Sequence, residues 1–223
     1  MAYNIIMRYP NFAREKALIA QGYQNIVGID EVGRGAWAGP IIAVAAMTNS
    51  KFQVISNKQI SNHKFQNPKR FKIRDSKLLS ERQRERIFEE VSQKVVWSIG
   101  VVTHQEIDQW GMGRANILVF KRALKNLGAR ADYLLLDRVS GFKHHLPFEL
   151  ITGGDRKVLS IAIASILAKV TRDRLMRKYH QKYPHYNFDR HKGYGTARHR
   201  QCLKEHGICE IHRRSYRPIT HYL

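Results

Sequence analysis

Residues 25–48 read NIVGIDEVGRGAWAGPIIAVAAMT, and this stretch decides the architecture. Asn25 to Val32 is a short β-rich run that ends on an acidic pair, Asp30-Glu31. Gly33-Arg34-Gly35 marks a turn, and Ile41 to Thr48, after Gly39-Pro40, is a second β-rich run. Two such runs around a glycine-rich connection predict a hairpin with an elaborated loop. Downstream, Ser80 with Gln83 three residues on forms a capping-box pattern, opening a helix to about Gln93. Val95 to Val102 alternates as a strand. Ile117, Phe120, Leu124 and Leu127 lie at helical spacing over Arg114 to Leu127, and Gly128 stops that helix. Tyr133 to Leu136 is an apolar strand ending at Asp137, and Pro147 to Ile151 is another, closed by Gly153-Gly154. A long helix is predicted from Leu159 to about Tyr179, and a further one from Thr196 to Glu205. A hairpin followed by strands alternating with helices predicts an α/β fold, a mixed sheet with helices on its faces. Ser50 to Arg74 is polar, basic and without periodicity, and reads as a long loop excursion.

The chain has 223 residues, enough for one large or two small domains. Its basic, aromatic end, 184–223, reads as a lobe appended to 1–183. A hydrophobic content of 43% excludes wholesale disorder. The longest apolar stretch, Ile41 to Met47, is of strand length, so no membrane span is expected. Arg8 and Pro10 break the apolar N-terminal piece, and secretion is not expected. Cys202 and Cys209 cannot build a disulfide framework and suit a reducing cytoplasm. Together with His206 and His212 they lie close in sequence, but without the spacing of a common zinc finger. Lys and Arg number 39 against 18 Asp and Glu, a formal charge of +21. So large a self-repulsion points to a polyanionic partner, a solvated basic surface being the bland alternative.

In such a chain, acidic residues at strand ends and helix starts stand out. Asp30 and Glu31 close the first strand, Asp137 closes another, and Asp155 precedes the long helix. Ligands of α/β sheets gather outside strand ends. Clustered carboxylates repel unless a cation lies between them, and oxygen-only ligands select Mg²⁺ or Mn²⁺. Two such ions are a standard device for phosphodiester cleavage, so the pattern points to a metal-dependent nuclease. Each carboxylate has a plainer reading. Asp155 can serve a helix N-terminus, Asp137 can pair with Arg138, and neighbours on a flat strand, such as Asp30 and Glu31, face opposite ways.

The motifs carry a resemblance. Gly28-Ile-Asp30-Glu31-Val-Gly33-Arg34-Gly35 with Ala38-Gly39-Pro40 closely resembles the opening signature of ribonuclease HII. Asp75-Ser76-Lys77-Leu78-Leu79-Ser80, Leu135-Leu136-Asp137 and Gly154-Asp155 with the helix through Asp173 continue the likeness in the family's order. His191-Lys192-Gly193-Tyr194 and His212-Arg213-Arg214-Ser215-Tyr216 extend it to about Pro218. The resemblance implies a ribonuclease H-like fold: a five-stranded mixed sheet flanked by helices, with a helical C-terminal lobe. It implies cleavage of the RNA strand of RNA–DNA hybrids and incision 5′ of ribonucleotides embedded in duplex DNA, leaving 3′-hydroxyl and 5′-phosphate ends.

By the same resemblance, Asp30, Glu31, Asp137 and Asp155 are the catalytic ligands of Mg²⁺ or Mn²⁺. Gly33, Arg34 and Gly35 read the ribose, and Tyr194 lies against the next deoxyribose. Ser165, Lys169 and Arg172 share a helix face and are expected, with Lys77, to position phosphates. Two departures from the family pattern stand out: Arg138 follows Asp137 where glycine is frequent, and Gly195 follows Tyr194 where proline is usual. The competing readings are a catalytically silent nucleic-acid-binding protein and a two-metal nuclease of another target, such as a DNA junction resolvase. A monomer is expected, and Ile219 to Leu223 shows no evident sliding-clamp tail.

Overall fold

Apolar residues at 27 and 29 on one strand and 43, 45 and 47 on the next cannot all be buried unless a sheet carries helices across that face. In the computed structural model, which describes residues 9–48, 73, 76–128 and 130–223, that is the arrangement. The expected excursion over 50–74, apart from Ile73, lies outside the described residues, as does Asp75. Strands β1 (Ile26–Val32), β2 (Ile41–Thr48), β3 (Val96–Val102), β4 (Tyr133–Asp137) and β5 (Phe148–Ile151) form one sheet in the order β3-β2-β1-β4-β5. β1 and β2 pair antiparallel, as do β2 and β3, while β1 with β4 and β4 with β5 are parallel. The sheet is therefore mixed and five-stranded, as expected.

Helices α1 (Ala13–Ala20), α2 (Glu81–Ser92), α3 (His104–Asn126) and α4 (Leu159–Lys182) surround it. Val27, Ile29, Ala43 and Leu136 pack with Val119 and Phe120 of α3 on one face. Val44 and Ala46 meet Ile163 and Leu167 of α4 and Ile87 of α2 on the other. The predicted capping box at Ser80 and Gln83 is present. α3 starts ten residues before the predicted Arg114, because Thr103 and Glu106 form a second capping box, and Gly111 (φ 75°) interrupts it. α4 has no side-chain cap of its own at Val158. Instead, buried Glu15 of α1 accepts a hydrogen bond from the Ser160 amide at 2.7 Å. A carboxylate there also complements the positive end of the helix dipole.

Residues 184–223 contain the short helix α5 (Phe188–His191), then α6 (Ala197–His206) and α7 (Arg217–Thr220). Phe188, Leu203, Ile211 and Ile219 share a core cluster with Ala38 and with Met176 of α4. This segment thus packs directly on the loop between β1 and β2. The sheet and α4 approach closely at Gly28, where a Cβ atom would lie 2.2 Å from the Ser160 carbonyl carbon. Replacing Gly28 by alanine must push α4 off the sheet. Overpacking of this kind costs about 1–3 kcal/mol, so Gly28→Ala should unfold at clearly lower denaturant with an unchanged m-value, checked by equilibrium denaturation.

Candidate active site

Register brings the acids together. β1 and β4 run parallel with Ile29 beside Leu136, so Asp30 and Asp137, the next residues, emerge as neighbours at the same sheet end. Val27 and Ile29 face α3, so by strand alternation Asp30 and Gly28 face α4. Alternation alone would turn Glu31 to the opposite side, yet it lies close enough to Asp30 for its charge to be felt there. The charge of Asp137 reaches both Asp30 and Glu31, because β4 ends there. Asp155 sits in a single 3₁₀ turn, Gly154–Arg156, between β5 and α4, and is buried. The Gly154 amide in that turn donates to Asp137 Oδ1 at 3.0 Å, which ties the two carboxylate-bearing segments together.

The electrostatics of this cluster are unfavourable. Burial raises the Asp30 pKa well above the ordinary value, and the charges of Glu31, Asp137 and Asp155 raise it further. Glu31 is pushed up to about 7, first by burial and then by Asp137, with Arg34 and Lys77 opposing. Its Oε2 is buried without a hydrogen-bond partner. Asp30 is braced by the Glu31 amide at 2.8 Å and by the Ser165 hydroxyl. Ser165 in turn meets Ser76 Oγ at 3.1 Å.

Crowded, desolvated carboxylates and an orphaned acidic oxygen are what a hard divalent cation would relieve, and the all-oxygen donor set fits Mg²⁺ or Mn²⁺. The side chains are not already drawn into a closed cage. No group of three His, Cys, Asp or Glu among the described residues could hold an ion as they stand. This includes the C-terminal set, where Cys202 and Cys209 are free. His212 there is engaged by the Cys209 amide at 2.9 Å and by His199 at 3.0 Å.

The rim of the site departs from expectation in one respect. Arg172, expected at a phosphate, is fully buried. Its guanidinium donates to the carbonyls of Pro40 at 3.0 Å, Lys192 at 2.8 Å and Ala38 at 3.1 Å. It lies beneath Gly33, whose φ of +92° and missing Cβ both suit the contact, since a Cβ there would meet Arg172 Nε at 2.3 Å. Helical spacing places Arg172 on one face with Ser165 and Lys169, but packing against the loop turns that part of the face inward. Lys169 is half-buried and paired with Asp173 at 2.7 Å. Ser165 serves Asp30. Lys77 is exposed on the 3₁₀ turn Ser76–Leu78, near enough to Glu31 for its charge to be felt.

Arg34 and Gly35 are exposed on the loop, and Tyr194 is half-buried with Arg172 5.4 Å from its ring centroid. The loop and the Tyr194 segment are joined directly. The amides of Trp37 and Ala38 both donate to the Gly193 carbonyl, and Ala36 bridges Tyr194. Gly195 has a local explanation. A Cβ there would lie 2.1 Å from the Trp37 ring, so the indole excludes any larger residue, proline included. Arg138 is exposed beside Asp137. Sequence reasoning assigned no role to Ser76, Trp37, Arg213 or Tyr216, all of which brace the site or its loop. Ser76 lies in the D-S-K motif and Arg213 and Tyr216 in H-R-R-S-Y, whereas Trp37 falls between the quoted motif residues and carries no signal of its own.

A carboxyl with a raised folded pKa holds its proton more tightly when folded. The contribution of Glu31 to metal-free stability therefore falls as the pH rises from the ordinary carboxylate range through about 7. Glu31→Gln should raise the metal-free melting temperature at about pH 8 by about 2–4 °C, for a gain near 1 kcal/mol in a domain of this size. The gain should vanish near pH 5. Calorimetry in chelator at both pH values checks this, and the low pKa values of buried His199 and His212 cancel between the two proteins.

Comparison with known proteins agrees with this geometry. The ribonuclease HII family profile matches residues 27–219. The ribonuclease HII of Syntrophotalea carbinolica is 39% identical over 210 residues, covering 94% of this chain and 93% of that protein. The ribonuclease H2 structure from Pyrococcus horikoshii superposes with a TM-score of 0.73 at 26% identity, covering 89% of this chain and 96% of that one. A ribonuclease HIII crystallised in complex with Mn²⁺ shares the fold, with a TM-score of 0.65 at 16% identity over 89% of this chain and 68% of that one. The chain belongs to the ribonuclease HII family and is a ribonuclease H-type hydrolase.

Proposed function

We propose that the protein is a divalent-metal-dependent endoribonuclease. Its substrates are the RNA strand of RNA–DNA hybrids and single ribonucleotides in duplex DNA, cut on their 5′ side to leave 3′-hydroxyl and 5′-phosphate ends. The observation that carries this is the convergence of Asp30, Glu31 and Asp137 at the ends of two parallel strands, with Asp155 bound into the same network, in a ribonuclease HII chain. Asp30, Glu31, Asp137 and Asp155 are the residues that would hold Mg²⁺ or Mn²⁺. The bound metal supplies activation of water and stabilisation of charge on phosphorus and on the leaving oxygen. The Mn²⁺ complex of the ribonuclease HIII neighbour supports the choice of ion.

The chain's own residues do the rest. Ser165 and the Glu31 amide fix the Asp30 carboxylate. The Gly154 amide fixes Asp137. Of the loop residues Gly33, Arg34 and Gly35, the last two offer exposed backbone beside the acids, the kind of group that can test for a 2′-hydroxyl, while Gly33 is buried against Arg172. Tyr194, hydrogen-bonded through its segment to the same loop, presents a ring face to the adjoining sugar. The net charge of +21 holds the polyanion.

The test is incubation of a duplex bearing one ribonucleotide with Mg²⁺ and with Mn²⁺, and mapping of the cut ends. Asp137→Asn should lose about a thousandfold in rate, since metal stabilisation of the transition state is worth several kcal/mol, with duplex affinity nearly unchanged. Cleavage of the all-deoxy duplex, or full activity of Asp137→Asn, contradicts the proposal.

A further inference from the structure

Two fully buried arginines lie under the glycine-rich loop, and neither is paired with a carboxylate in the hydrogen bonds it makes. Arg172 joins Ala38, Pro40 and Lys192. Arg213 does something different. Its Nη2 donates to the Gly33 carbonyl at 2.7 Å, its Nη1 to the Arg34 carbonyl at 3.0 Å and its Nε to the Gly39 carbonyl at 2.9 Å. The Tyr216 hydroxyl also donates to the Arg34 carbonyl. The segment carrying Arg213 and Tyr216 is itself anchored. Asp108 accepts the Arg214 amide at 3.0 Å, the Ser215 amide at 2.9 Å and the Ser215 hydroxyl at 2.7 Å.

Among the described residues there is no cis peptide bond. In a trans peptide the carbonyl and the following N–H point in opposite directions. Tying the Gly33 and Arg34 carbonyls inward therefore turns the Arg34 and Gly35 amides outward. Both residues are exposed, and neither amide donates to a partner in the backbone hydrogen bonds of the described residues. A cation hydrogen-bonded to a carbonyl also polarises its peptide unit, which strengthens the N–H on the far side.

We infer that Arg213, assisted by Tyr216, is a positioning residue that presents the Arg34 and Gly35 amides as two charge-backed donors to a sugar hydroxyl oxygen of the substrate. This rests on the proposed reading of the loop as the ribose-sensing element, and it identifies the side chains that make the loop competent. Arg172 cannot substitute. The amides that follow its carbonyls include those of Gly39 and Gly193, which are already spent on Ile211 and His191. A donor aimed at a hydroxyl discriminates because its loss leaves the donor unpaired against a deoxy sugar.

The experiment measures the affinities of full-length protein for a duplex with one ribonucleotide and for its all-DNA counterpart. Chelator is present, so no cleavage competes, and melting temperatures are recorded alongside. The wild-type protein should prefer the ribonucleotide duplex. Tyr216→Phe removes one of the two donors on the Arg34 carbonyl, and the preference should fall about 3–10-fold, the range for one net hydrogen bond, through the ribonucleotide duplex alone. Arg213→Lys, which keeps the charge but not the three-carbonyl geometry, should bring the preference close to one. If Arg213→Lys does not fold, Tyr216→Phe decides. A folded Tyr216→Phe with the wild-type preference overturns the inference, as does an equal loss on both duplexes, which marks a merely structural role. A wild-type protein that binds both duplexes alike defeats the ribose reading itself, and the inference with it.

Discussion

The mutual repulsion of buried acids at the ends of β1 and β4 is the constraint around which the molecule is organised. Asp30 is only 6% exposed and lies within the field of Glu31, Asp137 and Asp155. Nothing in the folding of an isolated sheet favours such a cluster. It persists because large apolar surfaces on both sheet faces fix the register, and register alone puts Asp30 beside Asp137. Cations at the rim, Arg34 and Lys77, offset part of the repulsion on Glu31. The remainder is an electrostatic demand for a divalent ion, so the feature that destabilises the metal-free fold is the one the chemistry uses.

A second organising feature is the use of buried guanidinium groups as backbone cross-links. Arg172 and Arg213 satisfy six carbonyl oxygens between them, drawn from the loop after β1 and the Lys192 turn. Burial pulls Arg213 down to about 10, which leaves it charged at neutral pH. A loop of glycine and alanine has few side chains with which to fix its own shape. The two arginines give it one, and they make residues 184–223 part of the rim of the site.

Much of this was legible in the sequence. The hairpin, the later strands and the main helices followed from periodicity and caps, and the carboxylates followed from their place at element ends. The N-terminal helix drew no assignment, because its role is tertiary: Glu15 caps a helix 145 residues away. The early start of α3 carries a capping box at Thr103 and Glu106, but Gly111 (φ 75°) separates it from the apolar spacing of Ile117, Phe120, Leu124 and Leu127 on which the expected helix rests. Arg172 was read on helical spacing as a surface cation, yet the loop packed over it determines its burial. A sequence shows which face a residue shares, but not what lies against that face. Gly195 is similar, as its identity is explained only by the Trp37 ring across the loop.

Four acids from three separate parts of the chain, Asp30-Glu31, Asp137 and Asp155, jointly hold divalent ions in this account. The most direct test is a crystal soaked in Mn²⁺ and measured at the manganese absorption edge. The account predicts anomalous density within coordination distance of the carboxylates of Asp30, Glu31, Asp137 and Asp155. Absence of density there at saturating Mn²⁺, or density only at a remote position such as Cys209 and His212, would contradict it.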